Sequence, residues 1–244
     1  MALYQGIYKK NDERFYKLSR SRIESFIQCK RCFFLDRKLK ISHPQGFPFN
    51  LNSAVDKVLK NEFDYYRQKQ APHPYIKKLG LNAVPFQHEK LETWRENFKG
   101  LSYNHLNLKF HVFGALDDVW IDKTNNELMV VDYKSTSKKG EITLDADWQM
   151  GYKRQMEVYQ YLLRKNGFEV SNTGYFVYCN GIRENYFEEK LSFKVNLISY
   201  TGSDHWIEQT LKEIYDLLNQ DIIPDRSKNC DYCRYQEKLN LLKV

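Results

Sequence analysis

The chain has 244 residues, of which 42% are hydrophobic and 28% are charged, and its 38 lysines and arginines exceed its 31 aspartates and glutamates to give a net charge of +7. This length supports a full hydrophobic core, and the composition excludes a disordered, collagen-like or low-complexity protein. No apolar run reaches the roughly 20 residues that cross a bilayer, and the N-terminus lacks the apolar segment of a secretory signal, so we expect a cytoplasmic protein without a membrane partner. The basic surplus favours a polyanionic partner such as nucleic acid, with solvated surface lysines as the alternative.

Helices are predicted in the first part of the chain. Residues 19–40 follow a capping serine with a helical spacing of apolar side chains, and residues 51–68 resume this periodicity after a turn at 43–50 that carries two prolines and a glycine. Residues 71–86 are interrupted by prolines and are expected to form a loop. The segment around Trp94 is at most a short amphipathic helix.

Strands are predicted in the middle of the chain. Residues 108–122 alternate and are rich in aromatic residues and valine, and residues 127–136 follow after the turn letters KTNN, which indicates a β-hairpin. The later elements are expected to be a helix at 148–164, strands at 174–181 and 185–198, a helix at about 204–219 and an irregular segment at 222–235. This order indicates a mixed α/β fold with the sheet in the middle.

Four of the five cysteines form two Cys-x-x-Cys pairs near opposite ends of the chain, Cys29 with Cys32 and Cys230 with Cys233, and Cys179 is left over. Two such pairs complete a tetrahedral four-thiolate site, which suits structural zinc or an iron–sulfur cluster. Disulfides are one alternative, although a cytosolic chain would be kept reduced, and a redox motif beside an incidental pair is another. The pattern therefore predicts metal binding and leaves the metal open.

A carboxylate and an ammonium group share one face of the second strand of the predicted hairpin. Asp132 and Lys134 lie two residues apart, so their side chains project to the same side. The first strand supplies Asp117, and the two carboxylates could approach closely enough to share Mg²⁺ or Mn²⁺ beside a phosphodiester. The alternative is a salt bridge at the end of a strand, because an Asp-x-Lys triplet is common by chance.

Polar residues on the flanking helices could extend this group. Gln155 and Tyr159 are four apart and share a helix face, where they could contact a phosphate backbone or hold the lysine, although tyrosines at this spacing more often belong to the core. Asp56, Lys60 and Asp64 lie on a polar stripe before the hairpin, or only on a solvated face. Three aromatic side chains near these positions could stack on unpaired bases or pack in the core: Trp120, Trp148 and Tyr152.

Three motifs follow one another in the order Gly114-x-x-Asp117, Asp132-x-Lys134 and Gln155-x-x-x-Tyr159. This order resembles the PD-(D/E)XK nucleases, and is similar to their RecB-like branch, which includes the CRISPR-associated exonucleases and helicase–nuclease subunits with an iron–sulfur clasp. The opening pattern Ser21-x-Ile23-x-x-Phe26-x-x-Cys29-x-Arg31 is like that branch's N-terminal helix, whose cysteine joins C-terminal cysteines around a cluster. The resemblance runs from about Leu18 to Tyr235.

The resemblance implies a divalent-metal-dependent nuclease that hydrolyses DNA phosphodiester bonds in repair, recombination or defence. The implied ligands of Mg²⁺ or Mn²⁺ are Asp56, Asp117, Asp132 and the carbonyl of Tyr133, and the implied catalytic residues are Asp117, Asp132, Lys134, Gln155 and Tyr159. Lys134 would orient or activate the attacking water. Asp56 departs from the branch, which often has a histidine at this position, although an aspartate can bind the same metals.

By the same resemblance, the four cysteines would hold a [4Fe–4S] cluster, with Zn²⁺ as the alternative. The branch usually has one N-terminal and three C-terminal cysteines, whereas this chain has two and two. Either metal would join the two ends of the chain and close a loop of about 200 residues, which contributes several kcal/mol in a loop-closure model.

The implied fold is an α/β restriction-endonuclease-like core, a central mixed sheet flanked by helices, with the N- and C-terminal segments joined by a metal site. No linker marks a boundary, so residues 1–244 are interpreted as a single domain. Its parts are a helical region over about 18–70, a catalytic core over about 105–200, and a C-terminal helix and cysteine segment over about 203–235.

Other functions stay open beside this hypothesis. A catalytically silent DNA-binding or scaffold module could keep the same fold and metal clasp. A zinc hydrolase or a redox protein could work through the cysteines, although four cysteines fill a structural site and leave no open position for a substrate. A helicase partner follows from the resemblance alone.

Overall fold

The computed structural model describes residues 1–44, 46, 50–183, 186 and 188–242, so half of the predicted turn at 43–50 lies outside the described residues. The chain forms two compact units. The first, which we call the clasp unit, contains residues 1–47, 102–113 and 205–244, and the second, the core unit, contains residues 48–101 and 114–204. The helical region predicted over about 18–70 is thus divided between the two, and the single-domain interpretation stays a prediction.

The elements within the described residues are, in chain order, β1 (Leu3–Tyr4), β2 (Phe15–Ser19), α1 (Arg20–Gln28), α2 (Lys30–Leu39), α3 (Asn50–Gln68), α4 (Pro74–Lys78), β3 (Ala83–Pro85), α5 (Leu91–Arg95), β4 (Leu101–His105), β5 (Phe110–Gly114), β6 (Asp118–Asp122), β7 (Leu128–Thr136), a 3₁₀ turn (Asp147–Gln149), α6 (Met150–Lys165), β8 (Thr173–Gly181), β9 (Phe193–Thr201), α7 (Trp206–Asn219) and α8 (Asp231–Leu241). No helix among them combines the length and the apolar composition that a membrane crossing requires.

The clasp unit contains a four-stranded sheet in the order β1-β2-β5-β4, in which β2 runs parallel to both β1 and β5. Helices α1 and α2 pack against α7, which buries one apolar face. The prediction of one helix over 19–40 is wrong, because Cys29 has an extended backbone, with φ −158° and ψ 107°, that separates α1 from α2. The prediction of an irregular segment at 222–235 is wrong in part, because residues 222–230 form no helix or strand but α8 begins after Cys230.

The core unit contains a five-stranded mixed sheet in the order β3-β6-β7-β8-β9, in which β7 and β8 are parallel and the other pairs are antiparallel. Helices α3 and α6 pack against β7, so that helices flank the sheet. This arrangement confirms the predicted α/β restriction-endonuclease-like fold. The loop predicted at 71–86 is wrong in part: it contains α4 and β3, a three-residue edge strand whose last residue is a proline, as edge strands tolerate.

Helix α3 covers one face of this sheet through a buried apolar cluster. Phe63 and Trp120 are fully buried in it, with their rings stacked at a centroid distance of 5.7 Å. Alternate residues of β7 join the cluster, and the last of them is Tyr133. Cys179 on β8 also belongs to this cluster, and burial raises the pKa of its thiol to about 11. The fifth cysteine therefore packs as an apolar side chain.

Candidate active site and metal centre

The β6–β7 hairpin brings the two predicted metal-binding carboxylates together. Asp118 pairs with Val131, so the preceding residue, Asp117, lies beside Asp132 and Tyr133. The backbone N–H of Tyr133 donates a hydrogen bond of 2.9 Å to Asp117 Oδ2. The Asp132 side chain is fully buried, whereas that of Asp117 is 21% exposed. A ligand can therefore reach the pair from the side of Asp117.

Lys134 lies against both the carboxylates and helix α6. Its ammonium group forms an ion pair with Asp132, and its Nζ atom donates to Gln155 Oε1 over 3.4 Å. Gln155 Nε2 in turn donates to the hydroxyl of Tyr159 over 3.2 Å. Burial lowers the pKa of Lys134, but the charges of Asp132 and Asp117 outweigh it and raise this pKa above its usual value. Of the two roles considered for the Gln-x-x-x-Tyr pair, the contacts match the one in which it holds the lysine.

The loop that precedes β6 is held in place by two further contacts. The Tyr159 hydroxyl donates a hydrogen bond of 2.5 Å to the carbonyl oxygen of Ala115. On the other side of the loop, a Cβ atom added to Gly100 would lie 2.5 Å from the carbonyl oxygen of Gly114, and Gly100 has a φ of +64° that favours glycine. The hydrogen bond holds the backbone that leads to Asp117, and the close approach shows that this backbone packs tightly against Gly100.

Helix α3 adds a third carboxylate and a second ammonium group. Lys60 Nζ lies 2.8 Å from Asp56 Oδ2 and 3.3 Å from Asp117 Oδ1. Burial lowers the pKa of Lys60, but the negative charges of Asp117 and Asp56 outweigh this effect and raise the pKa above its usual value. The Lys60 ammonium group therefore stays charged. Burial and the charge of Asp117 raise the pKa of Asp56. The sequence identified Lys60 only as part of a polar stripe, whereas the structure places it between two site carboxylates.

A buried ion network under the site was not predicted from the sequence. The fully buried Asp118 accepts hydrogen bonds from Arg67 at 2.5 Å, from the hydroxyl of Tyr133 at 2.7 Å and from Arg95 at 3.2 Å. Arg95 also donates from Nε to the carbonyl oxygen of Asp117 at 3.0 Å. The network therefore holds two groups next to the candidate metal site in place: the Asp117 backbone, through Arg95, and the Tyr133 ring, through Asp118. The sequence signal was the Asp117-Asp118 doublet, of which only the first residue was considered.

The four paired cysteines cluster in the clasp unit. Their sulfur atoms all lie within 4.8 Å of one another, and Cys29, Cys32 and Cys233 are buried. Each pair stands at the start of a helix, since Cys29 precedes α2 and Cys230 precedes α8. All four are free thiols, which excludes a disulfide between them in this structure. The predicted four-cysteine metal site is therefore present as a donor set.

The sequence model of the PD-(D/E)XK nuclease superfamily matches residues 17–237. The chain belongs to this superfamily. None of the curated proteins compared with the chain matches it. Membership in the PD-(D/E)XK superfamily implies metal-dependent nuclease activity, and the oxygen donors of Asp117 and Asp132 are the kind that Mg²⁺ and Mn²⁺ prefer. The two carboxylates converge, and one of them is open to solvent, so the residues fit the divalent metal of this superfamily.

Proposed function

We propose that the protein is a deoxyribonuclease that hydrolyses phosphodiester bonds with Mg²⁺ or Mn²⁺. The observation that carries the proposal is the convergence of Asp117, Asp132 and Lys134 at one end of the β6–β7 hairpin. A silent DNA-binding module would have no chemical reason to keep a lysine buried beside two carboxylates, because burial of charged groups is costly.

The role of each residue follows from its contacts. Asp117 and Asp132 would hold the metal ion, with the carbonyl of Tyr133 and with Asp56 as further ligands. When bound, the ion supplies a Lewis acid and lowers the pKa of a coordinated water. Lys134, held by Gln155, orients the attacking water and balances the charge that develops on the phosphate.

Lys60 contributes charge balance to the same site. Lys60 forms ion pairs with both Asp56 and Asp117, so it keeps the carboxylate of Asp56 on α3 close to the hairpin. Three carboxylates against two ammonium groups leave one net negative charge, which suits a single divalent cation that approaches a phosphate.

An aromatic pair next to the catalytic lysine supports a substrate with unpaired bases. Lys134 Nζ lies 4.5 Å from the ring centroid of Tyr152, and the Tyr152 ring lies edge-on to Trp148 at 5.4 Å. Trp148 is 65% exposed, whereas Trp120 is fully buried in the core cluster. We propose that Trp148 stacks on an unpaired base next to the scissile phosphate, and that Trp120 only packs.

The wider context rests on the resemblance to the RecB-like branch. It includes a role in DNA repair, recombination or defence and a helicase partner. A reducing compartment such as the cytoplasm also belongs to the proposal, because a four-thiolate metal site requires cysteines that are kept reduced.

The test is cleavage of end-labelled linear and closed circular DNA, single- and double-stranded, and of matched RNA, with Mg²⁺, Mn²⁺ or EDTA. We expect DNA cleavage with either metal and none with EDTA, and the circular substrates will show whether a free end is needed. Asp117→Asn should lose the activity, whereas Asp122→Asn should keep it, because Asp122 lies at the far end of β6, the strand that follows Asp117, and outside the site. A contaminating nuclease would cut equally in both preparations.

The proposal is wrong if the wild-type protein binds DNA but stays inert on every substrate with both metals. In that case the catalytically silent binding module becomes the better interpretation. Cleavage of RNA alone would keep the nuclease and overturn the DNA assignment.

Trp148→Ala should weaken binding of single-stranded DNA by about 5- to 150-fold, since stacking on one base contributes about 1–3 kcal/mol. Fluorescence anisotropy with a labelled oligonucleotide measures this loss, in EDTA so that the substrate stays intact. The control is Tyr65→Ala, which removes a comparably exposed ring from α3 and should leave the affinity within about twofold. Equal affinities for the Trp148 variant and the wild type would contradict the stacking role.

A further inference from the structure

The distances between the four cysteine sulfur atoms discriminate between the metals that this donor set accepts. The Cys32 sulfur lies 3.4 Å from that of Cys233 and 3.5 Å from that of Cys230, and the sulfur atoms of Cys29 and Cys233 are 3.8 Å apart. All six pairs lie within 4.8 Å. The four atoms thus form a small, closed group around a single centre.

A single tetrahedral ion fits this group. Zinc–sulfur bonds of about 2.3 Å place the four sulfurs of a regular tetrahedron about 3.8 Å apart. Three of the six pairs, at 3.4, 3.5 and 3.8 Å, lie near this value. Only small side-chain movements are needed for an ion to sit at the centre.

An iron–sulfur cluster does not fit the same group. In a [4Fe–4S] cluster each cysteine binds a different iron, and four irons and four sulfides lie between the thiolates. The cysteine sulfurs of such a cluster therefore stand well beyond the 4.8 Å that bounds this group. In a [2Fe–2S] cluster, two of the thiolates bind one iron and the other two bind the second iron. The sulfurs of one pair would therefore also lie too far from those of the other pair.

The local backbone also suits a single ion with four thiolates. Both Cys-x-x-Cys pairs begin at the N-terminus of a helix, α2 in one case and α8 in the other. Helix N-termini stabilise negative charge, and the two together oppose the charge of four thiolates around a divalent ion. The two-residue spacing within each pair is typical of structural zinc sites.

We infer that the four-cysteine group binds one Zn²⁺ ion, and not the iron–sulfur cluster that the resemblance to the RecB-like branch implies. The ion joins α2 to α8 within the clasp unit, and all four of its coordination positions are filled by protein. The site is therefore structural, with no open position for chemistry. This inference does not rest on the nuclease activity, so its failure and that of the proposed function can be told apart.

The test measures the metal directly. The full chain is expressed in medium with both iron and zinc, purified without oxygen, and assayed for zinc, iron and acid-labile sulfide. We expect about one zinc per chain, no iron or sulfide and no visible absorption. Co²⁺ exchanged into the site should give the intense visible bands of a tetrahedral tetrathiolate complex. Iron with labile sulfide and a brown chromophore would overturn the inference.

Variants assign the metal to this site. Cys230→Ser removes the half-buried ligand and should lower both zinc content and melting temperature, because metal binding is coupled to folding. Cys179→Ser is the matched control, a buried cysteine in the core unit that should keep the full zinc content.

If Cys230→Ser is insoluble, the wild-type chain is stripped of metal and offered Zn²⁺, or iron with sulfide. Uptake of iron and sulfide alone, or of neither metal, refutes the inference.

Discussion

Lys134→Met should reduce the rate of DNA cleavage by about 100- to 1,000-fold, the effect of removing one group that stabilises charge in a transition state. Lys134 forms an ion pair with the fully buried carboxylate of Asp132. The comparison is made at saturating Mg²⁺ with end-labelled DNA. Lys123→Met is the control, because Lys123 is exposed on the hairpin turn and should leave the rate unchanged.

The same variant has a second, independent consequence. Without the ammonium group the buried Asp132 loses its ion pair with Lys134, and removing one partner of a buried ion pair destabilises a protein. A divalent cation bound by Asp132 would restore the balance. Mg²⁺ should therefore raise the melting temperature of Lys134→Met by more than it raises that of the wild type.

Two results would argue against this role of Lys134. Cleavage within tenfold of the wild-type rate would show that the lysine is not needed for chemistry. An equal Mg²⁺-induced shift in both proteins would show that Asp132 does not bind the metal. Lys134→Arg separates charge from position, because arginine keeps the charge but not the compact ammonium group. It should restore stability without restoring the rate.

Local periodicity was enough to predict the elements that carry a strong apolar pattern. Helix α7 buries Ile207, Leu211, Ile214 and Leu218 at helical spacing, and its predicted bounds differ from the structure by two residues at one end. The β6–β7 hairpin and the strand β8 were predicted for the same reason. The first strand of the hairpin was predicted over 108–122, and this is wrong in part, because the structure divides the range into β5 and β6, which belong to different sheets. Helix α8 buries only Cys233, so no apolar period was available to reveal it.

Long-range constraints account for the elements and site residues that were missed. The apolar pattern continues through Cys29, but the backbone is extended there and turns its sulfur towards residues about 200 positions away. Asp132 and Lys134 were found because their relation is local. Arg67 is 51 residues from its partner Asp118, and no pattern in the sequence links two charged residues over such a distance.

Arg67→Met should lower the free energy of unfolding by about 3–5 kcal/mol, the usual effect of removing one partner of a buried ion pair. Arg67 is 6% exposed, and it donates to the fully buried Asp118 and, at 2.8 Å, to the carbonyl oxygen of Phe86. Arg95 also contacts Asp118, at 3.2 Å, and this contact does not depend on Arg67, so the lower end of the range is expected. Urea denaturation, followed by tryptophan fluorescence, measures the change.

Lys99→Met provides the matched comparison, since the Lys99–Glu96 ion pair is exposed and its loss should cost less than about 1 kcal/mol. Arg67→Lys should give an intermediate loss in the free energy of unfolding. Lysine keeps the charge, but it lacks the planar guanidinium that donates to both Asp118 and Phe86. A loss below 1 kcal/mol for Arg67→Met would mean that Arg95 alone compensates Asp118. Because Arg95 also holds the Asp117 carbonyl, that result would make Arg95 the residue on which the geometry of the metal site depends.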